Sequence, residues 1–186
     1  MKALFKSVAV AFAVATLFSC SNDLKEVTRL NKPDTMPTMF AREVTITESE
    51  SGRIRYNLTA PILKRYESTQ GAIIKFPAGF KVVFYDSLQP DKIRTEITAE
   101  YGINNERKKT MEAHSNVVVI NYLKGEKLNT ELLVWDQITK KVFSEKFVTI
   151  TTPDKILYGE GMESDENFER WTIRKPRGEM YINEDQ

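Results

Sequence analysis

Few residues in this chain are of a type that does chemistry, and their spacing limits what that chemistry is. The single histidine, His114, has no second histidine with which to hold a zinc ion. It stands beside a strand start and reads as an ordinary polar strand residue. Glu160, Glu163 and Asp165 lie close together in sequence. A glycosidase needs two carboxyls converging in a cleft, whereas carboxylates that alternate with apolar residues belong to a solvated sheet face. Gly159 and Gly161 flank one residue in YGEGM, the pattern of a tight turn or bulge and not of a phosphate cradle. Neither G-x-S-x-G nor G-x-x-x-x-G-K-S/T occurs. The chain is expected to be no enzyme and to need no cofactor or metal.

The remaining candidate is the lone cysteine, Cys20, which has no internal disulfide partner. Lys2 and Lys6 precede an apolar run from Val8 to Phe18. A membrane-spanning helix needs about 20 apolar residues, so this shorter run fits a signal segment. The run ends in Leu17-Phe18-Ser19-Cys20, which resembles the bacterial lipobox, with Phe18 a less usual member. Cleavage before Cys20 and lipidation there would tether the mature chain to a bilayer, since two or more acyl chains anchor stably. Residues 1–19 are then a lipoprotein signal peptide. Residues 20–39 are the lipidated N-terminus and a polar linker with Pro33 and Pro37. Residues 40–186 form one domain.

Charge is nearly balanced, with 27 basic and 26 acidic residues. That argues against a nucleic-acid partner, which favours a basic surplus. The elements that must carry any site are strands. Val117, Val119, Leu133, Trp135, Val148 and Ile150 fall on alternate positions within the run from Ser115 to Asp165, and period two puts such residues on one face of a sheet. Arg53 to Ala60 alternates most cleanly, with Ile54, Tyr56 and Leu58 on one side. Pro61 predicts a strand end or an edge. Phe80 to Asp86 puts Phe80, Val82 and Phe84 together, and Ile93 to Tyr101 reads as one strand with Ile97 and Ala99 inward. Arg170 to Arg174 and Glu179 to Ile182 are two last short strands. About a dozen strands with regular turn signals predict an all-β domain. Segments starting at Thr98, Thr130 and Gly159 share a hairpin-like layout, a weak echo that suggests a β-solenoid or roll.

The ordered motifs SGRIRYNLTAPIL, FPAGFKVVFYD, ITAEYGI, NVVVINYLKGEKLNTELLVWD and FVTITTPDKILYGEGMESD span roughly Phe40 to Ile182. In order and spacing they resemble the LptC family, the periplasmic component of the lipopolysaccharide exporter. The anchor departs from the family's best-known form, an uncleaved transmembrane helix, and resembles a lipoprotein variant of Bacteroidetes-like bacteria. A glycine commonly precedes the N-V-x-V strand in the family, and Ser115 stands near that place here.

The resemblance implies an antiparallel β-jellyroll, or OstA-like β-taco, whose groove holds the acyl chains of lipopolysaccharide. It implies residence at the periplasmic face of the inner membrane. Lipid would arrive from the permease subunits of an inner-membrane ABC transporter. It would leave to a periplasmic bridge protein of the same fold, LptA-like, by edge-to-edge strand contact. The inward Tyr56, Leu58, Val82, Phe84, Ile97, Val117, Val119, Leu133, Trp135, Val148 and Ile150 are the expected groove. Trp171, Ile173, Met180, Tyr181 and Ile182 are the expected partner edge. The alternative is a lipid-anchored scaffold that only docks partner proteins through its edges.

Overall fold

The structure, a computed structural model, describes residues 36–67, 71–86 and 88–177. The described part is all-β, with every pairing antiparallel. Its strands are β1 (Met39–Glu50), β2 (Arg53–Tyr66), β3 (Ile73–Phe76), β4 (Phe80–Tyr85), β5 (Ile93–Ala99), β6 (Tyr101–Asn105), β7 (Thr110–Asn121), β8 (Glu126–Asp136), β9 (Lys141–Thr151), β10 (Ile156–Asp165) and β11 (Trp171–Arg177). The predicted signal segment, most of the linker and the predicted strand at Glu179 to Ile182 lie outside the described residues.

The pairings make a folded sheet. One flank of β2 carries β1. The other flank pairs with β4 through Tyr56–Thr59 and with β3 through Lys64–Tyr66. From β4 the ladder runs to β5, and from β3 to β6. Both routes rejoin on β7, β6 along its first half and β5 along its second. β8, β9, β10 and β11 then follow in order. The long strands therefore belong to two layers, which meet along a crease. This is the β-jellyroll, or taco, and not a solenoid. The thirty-residue echo corresponds to hairpins packed side by side.

The crease is written in local irregularities. Register shifts fall at His114/Val117 on β7 and Thr130/Val134 on β8, and at Glu160/Met162 on β10. An extra residue in one strand bends it and increases its twist. Left-handed backbone occurs at Glu43 (φ 50), Ser115 (φ 61), Asn116 (φ 50) and Gly161 (φ 78). Ser115 thus adopts the conformation for which glycine is suited. Its carbonyl accepts the Glu100 amide at 3.1 Å. Glu100 breaks the predicted Ile93–Tyr101 strand into β5 and β6, because the two halves must enter different layers. Pro61 does not end its strand as expected. It sits where the flank of β2 passes from β4 to β3, a stretch with no paired neighbour on that side, so its missing donor costs no ladder bond there. Inside the bend, the buried Thr130 and Ser144 hydroxyls bond each other at 3.1 Å. Thr130 Oγ1 also donates to the Phe147 carbonyl at 3.0 Å. Polar groups buried at a kink need such partners.

Packing forms two clusters. One surrounds Val117, Val148 and Met162 at the β7–β10 end. The other gathers Leu58, Ala60, Leu63, Phe76 and Val82 at the β1–β4 end, and Phe80 packs against both. A register-matched row, Leu58–Val82–Ile97–Val119–Leu128–Ile150, crosses the first layer from β2 to β9. Period-two alternation puts it all on the inner face.

Candidate functional site

A cleft of about 800 Å³ lies between the layers near the β2–β5 end. One wall is Tyr56 and Leu58 of β2, Val82 and Phe84 of β4, and Ile97 of β5. The opposite wall is Met111 and Ala113 of β7, Leu133 and Trp135 of β8, and Val142 of β9. Each wall follows from the ladder. Tyr56 and Phe84 are direct cross-strand neighbours, as are Met111 and Trp135. The Tyr56 and Phe84 rings meet at 5.5 Å, tilted by 53°, a favourable aromatic arrangement.

Seven of the eleven residues expected in a groove line this cleft: Tyr56, Leu58, Val82, Phe84, Ile97, Leu133 and Trp135. Val117, Val119, Val148 and Ile150 do not. Val117 and Val148 are 0% exposed and belong to the close-packed cluster. Val119 and Ile150 border only a space of about 20 Å³ behind the cleft, shared with Phe168. Alternation marks both sets alike, because it reports which face is inward and not whether the opposite layer fills it.

The rim is polar. Arg55 pairs with Glu48 at 3.3 Å and with Glu50 at 3.5 Å, and Lys140 stands 3.9 Å from Glu166. Exposed pairs of this kind contribute little stability. Burial, then the hydrogen bond and negative charge of Glu48, push the Tyr56 phenol up to about 12. Deeper in, the Trp135 indole N–H and the Arg94 Nε are buried with no acceptor among the described residues. Both residues line the cleft. The arrangement is an apolar slot with a few inward donors and a charged lip, a form suited to binding.

Phe80, Met111 and Phe168 also line the cleft, and none was among the expected groove residues. Phe80 and Met111 alternate with Val82 and Ala113, so their side was legible. Phe168 lies in the turn ENFER, where no periodic pattern marks it.

The other sequence candidates have structural partners. Glu163 pairs with Lys141, and Glu160 lies 3.2 Å from Arg177 and 3.7 Å from Lys175. Asp165 accepts the amides of Asn167, Glu169 and Arg170. Burial raises the Asp165 pKa, but these donors outweigh it and hold the carboxyl below its ordinary value. His114 Nε2 contacts Glu112 Oε2 at 2.9 Å on the same strand. Trp171 and Ile173 lie on β11, whose one partner among the described strands is β10. Their side chains pack against the core, so what they offer a partner is backbone. β1 is the other strand with a single described partner. Cys20, Met180, Tyr181 and Ile182 lie outside the described residues.

Compared with known families, residues 8–175 match LptC, described as "Lipopolysaccharide-assembly, LptC-related". No curated protein matches the chain.

Proposed function

The chain belongs to the LptC-related lipopolysaccharide-assembly family, and we propose that its cleft takes the acyl chains of lipopolysaccharide on their way to the outer membrane. The single observation that supports this best is the apolar slot itself, about 800 Å³, between aromatic walls. Each lipid CH₂ removed from water contributes about 0.8 kcal/mol, so several chains in such a slot bind without a charged anchor. We assign the contact to the cleft-lining Tyr56, Leu58, Val82, Phe84, Ile97, Leu133 and Trp135. Val117, Val119, Val148 and Ile150 act as packing that holds the walls apart.

In this reading Cys20 carries the lipid anchor that keeps the domain at the periplasmic face of the inner membrane. Lipid arrives from the permease subunits of an inner-membrane ABC transporter. It leaves to a bridge protein of the same fold. The exposed backbone of β11 fits that hand-over, because an edge strand with one partner is a template for strand addition. Trp171 and Ile173 orient that edge.

The test is site-specific photo-crosslinking at Tyr56, Phe84 and Trp135 in the full chain. Lipopolysaccharide adducts at these positions are expected, and none at outward-facing Thr45. Absence of adducts at all three, in folded protein with a working transporter, overturns the reading. The single-partner edges of β1 and β11 favour a second reading, a scaffold that docks proteins without touching lipid. That reading expects protein capture at the edges, no lipid capture, and tolerance of polar substitutions at Phe84 and Trp135.

A further inference from the structure

The cleft ends abruptly. Phe168 stands between it and the small space of about 20 Å³ bounded by Val119, Leu128, Ile150, Met162 and Trp171. Although it belongs to the β10–β11 turn, Phe168 is 6% exposed and packs in the β7–β10 cluster. Its φ is 56°. A bulky side chain adopts left-handed backbone only where its surroundings impose it. Here the ring is driven inward at the expense of backbone comfort.

The turn is also strapped across the layers. It leaves β10 in the second layer, yet its carbonyls are held by the β7–β8 tip of the first. Asn121 Nδ2 donates to the Phe168 carbonyl at 3.4 Å, and Lys124 Nζ donates to the Glu169 carbonyl. Trp171 Nε1 donates to Glu126 Oε2 at 3.1 Å just beyond, again from one layer to the other. Within the turn, Asp165 gathers the amides of Asn167 (3.0 Å), Glu169 (3.0 Å) and Arg170 (2.8 Å). These straps lie outside the strand ladders, so the turn can move without unpairing β10 from β9.

We propose that Phe168 is the stop that ends the lipid-binding cleft short of the β10–β11 edge, so that an acyl chain at Phe84 and Trp135 extends toward Trp171 only when the Phe168 ring is withdrawn. This rests on the reading of the cleft as an acyl-chain site. Phe168 then sets how far a chain penetrates, and the polar straps at Asn121 and Lys124 set how readily it yields. The apolar surface continues behind it through Leu128, Ile150 and Met162, so an acyl chain that passes the ring meets more of the same chemistry.

The experiment uses purified full-length protein, lipopolysaccharide as the probe, and a photo-crosslinking aromatic amino acid at Phe84 or, separately, at Trp171. Each is measured with Phe168 intact, in Phe168→Ala and in Phe168→Gly. The glycine variant removes the ring and also relieves the left-handed backbone, so it keeps the fold where alanine loses it. Circular dichroism and a thermal melt check both. With Phe168 intact, adducts are expected at Phe84 and few at Trp171. Removing the ring is expected to raise adducts at Trp171 about tenfold relative to those at Phe84 in the same background, equivalent to about 1.4 kcal/mol. Unchanged Trp171 adducts in the folded variants, with Phe84 still labelled, overturn the stop and leave the cleft reading standing. No labelling at Phe84 in any background overturns the cleft reading itself.

Discussion

Gly159→Ala tests how β11 is attached. Gly159 lies on β10 opposite Pro176 of β11 and Val148 of β9. A Cβ there would stand 2.2 Å from Ile173 Cγ2 and 2.7 Å from the Lys175 carbonyl oxygen. Real Cβ contacts essentially never fall below 3.0 Å. The Ile173 methyl can rotate aside, but the carbonyl is backbone and moves only with its strand. Overpacking of this kind costs about 1–3 kcal/mol. Among the described strands β11 pairs with β10 alone, so the least costly relief is for β11 to lift off, giving up its side-chain packing, while the other ladders stay intact. The melting temperature should fall by roughly 2–4 °C for each kcal/mol lost. Hydrogen exchange should quicken about fivefold to a hundredfold in β11, the factor matching that energy, with little change in β2, β5 and β7. Gly161→Ala is the control. Its Cβ would meet nothing nearer than Arg174 Cδ at 3.3 Å, and its cost is the left-handed φ of 78°, about 1–2 kcal/mol, without selective loss of β11. Wild-type melting and exchange in Gly159→Ala, or exchange quickened equally in every strand, would refute this account of the edge.

Three further outcomes can be checked. Ser115→Gly should raise stability by about 1 kcal/mol in urea titration, because glycine adopts φ 61° without the penalty a side chain pays, and the Ser115 carbonyl that binds Glu100 remains. The Tyr56 phenol titrates near 12 against an ordinary 10.0; a raised folded pKa means its contribution is complete below pH 10.0 and is lost as pH rises through about 12. Glu48→Gln should lower that midpoint only part of the way, since burial is the larger cause, as followed by phenolate absorbance. The Asp165 carboxyl is held below its ordinary 3.8, so its support of the Phe168 turn is present above pH 3.8 and lost as pH falls through the lowered value; the amide shifts of Asn167, Glu169 and Arg170 by NMR should report a midpoint below 3.8.

Strand positions were largely legible, because period two survives wherever one face of a sheet is covered. The crease was not. It depends on single residues, Glu43, Glu100, Ser115 and Asn116, whose types do not announce left-handed backbone or a break as glycine would. Pro61 was legible in part: it does not end β2, but it sits where one flank of the strand is an unpaired edge, between the β4 and β3 pairings. The cleft was legible in its walls and not in its extent. Tyr56, Phe84 and Trp135 carry the same alternation as Val117 and Val148, and only the spacing of the opposite layer separates lining from filling. Phe168 left no trace at all, since a turn residue driven into the core belongs to no periodicity.

The crease also accounts for the contrast between the two ends of the molecule. Among the described residues, a sheet that folds over and runs on from β1 to β11 leaves a strand with a single partner at each end, where a closed barrel leaves none. Free edges invite unwanted pairing, and charge or proline on the edge opposes it. β11 carries Arg174, Lys175, Pro176 and Arg177. β1 carries Glu43, Glu48 and Glu50 against the one cation Arg42. Each set is partly neutralised by neighbours: Glu48 and Glu50 pair with Arg55, Arg174 with Glu145, and Lys175 and Arg177 with Glu160. By its own side chains β1 is net negative and β11 net positive, so whatever charge the neighbours leave uncompensated disfavours pairing two copies of one edge and favours pairing unlike edges. Electrostatic complementarity of that sort selects partner and orientation more than it adds affinity. Raising the ionic strength should therefore weaken the choice between β1-type and β11-type partners before it weakens lipid capture at Phe84, because screening acts on exposed charges and leaves apolar contact in the cleft in place.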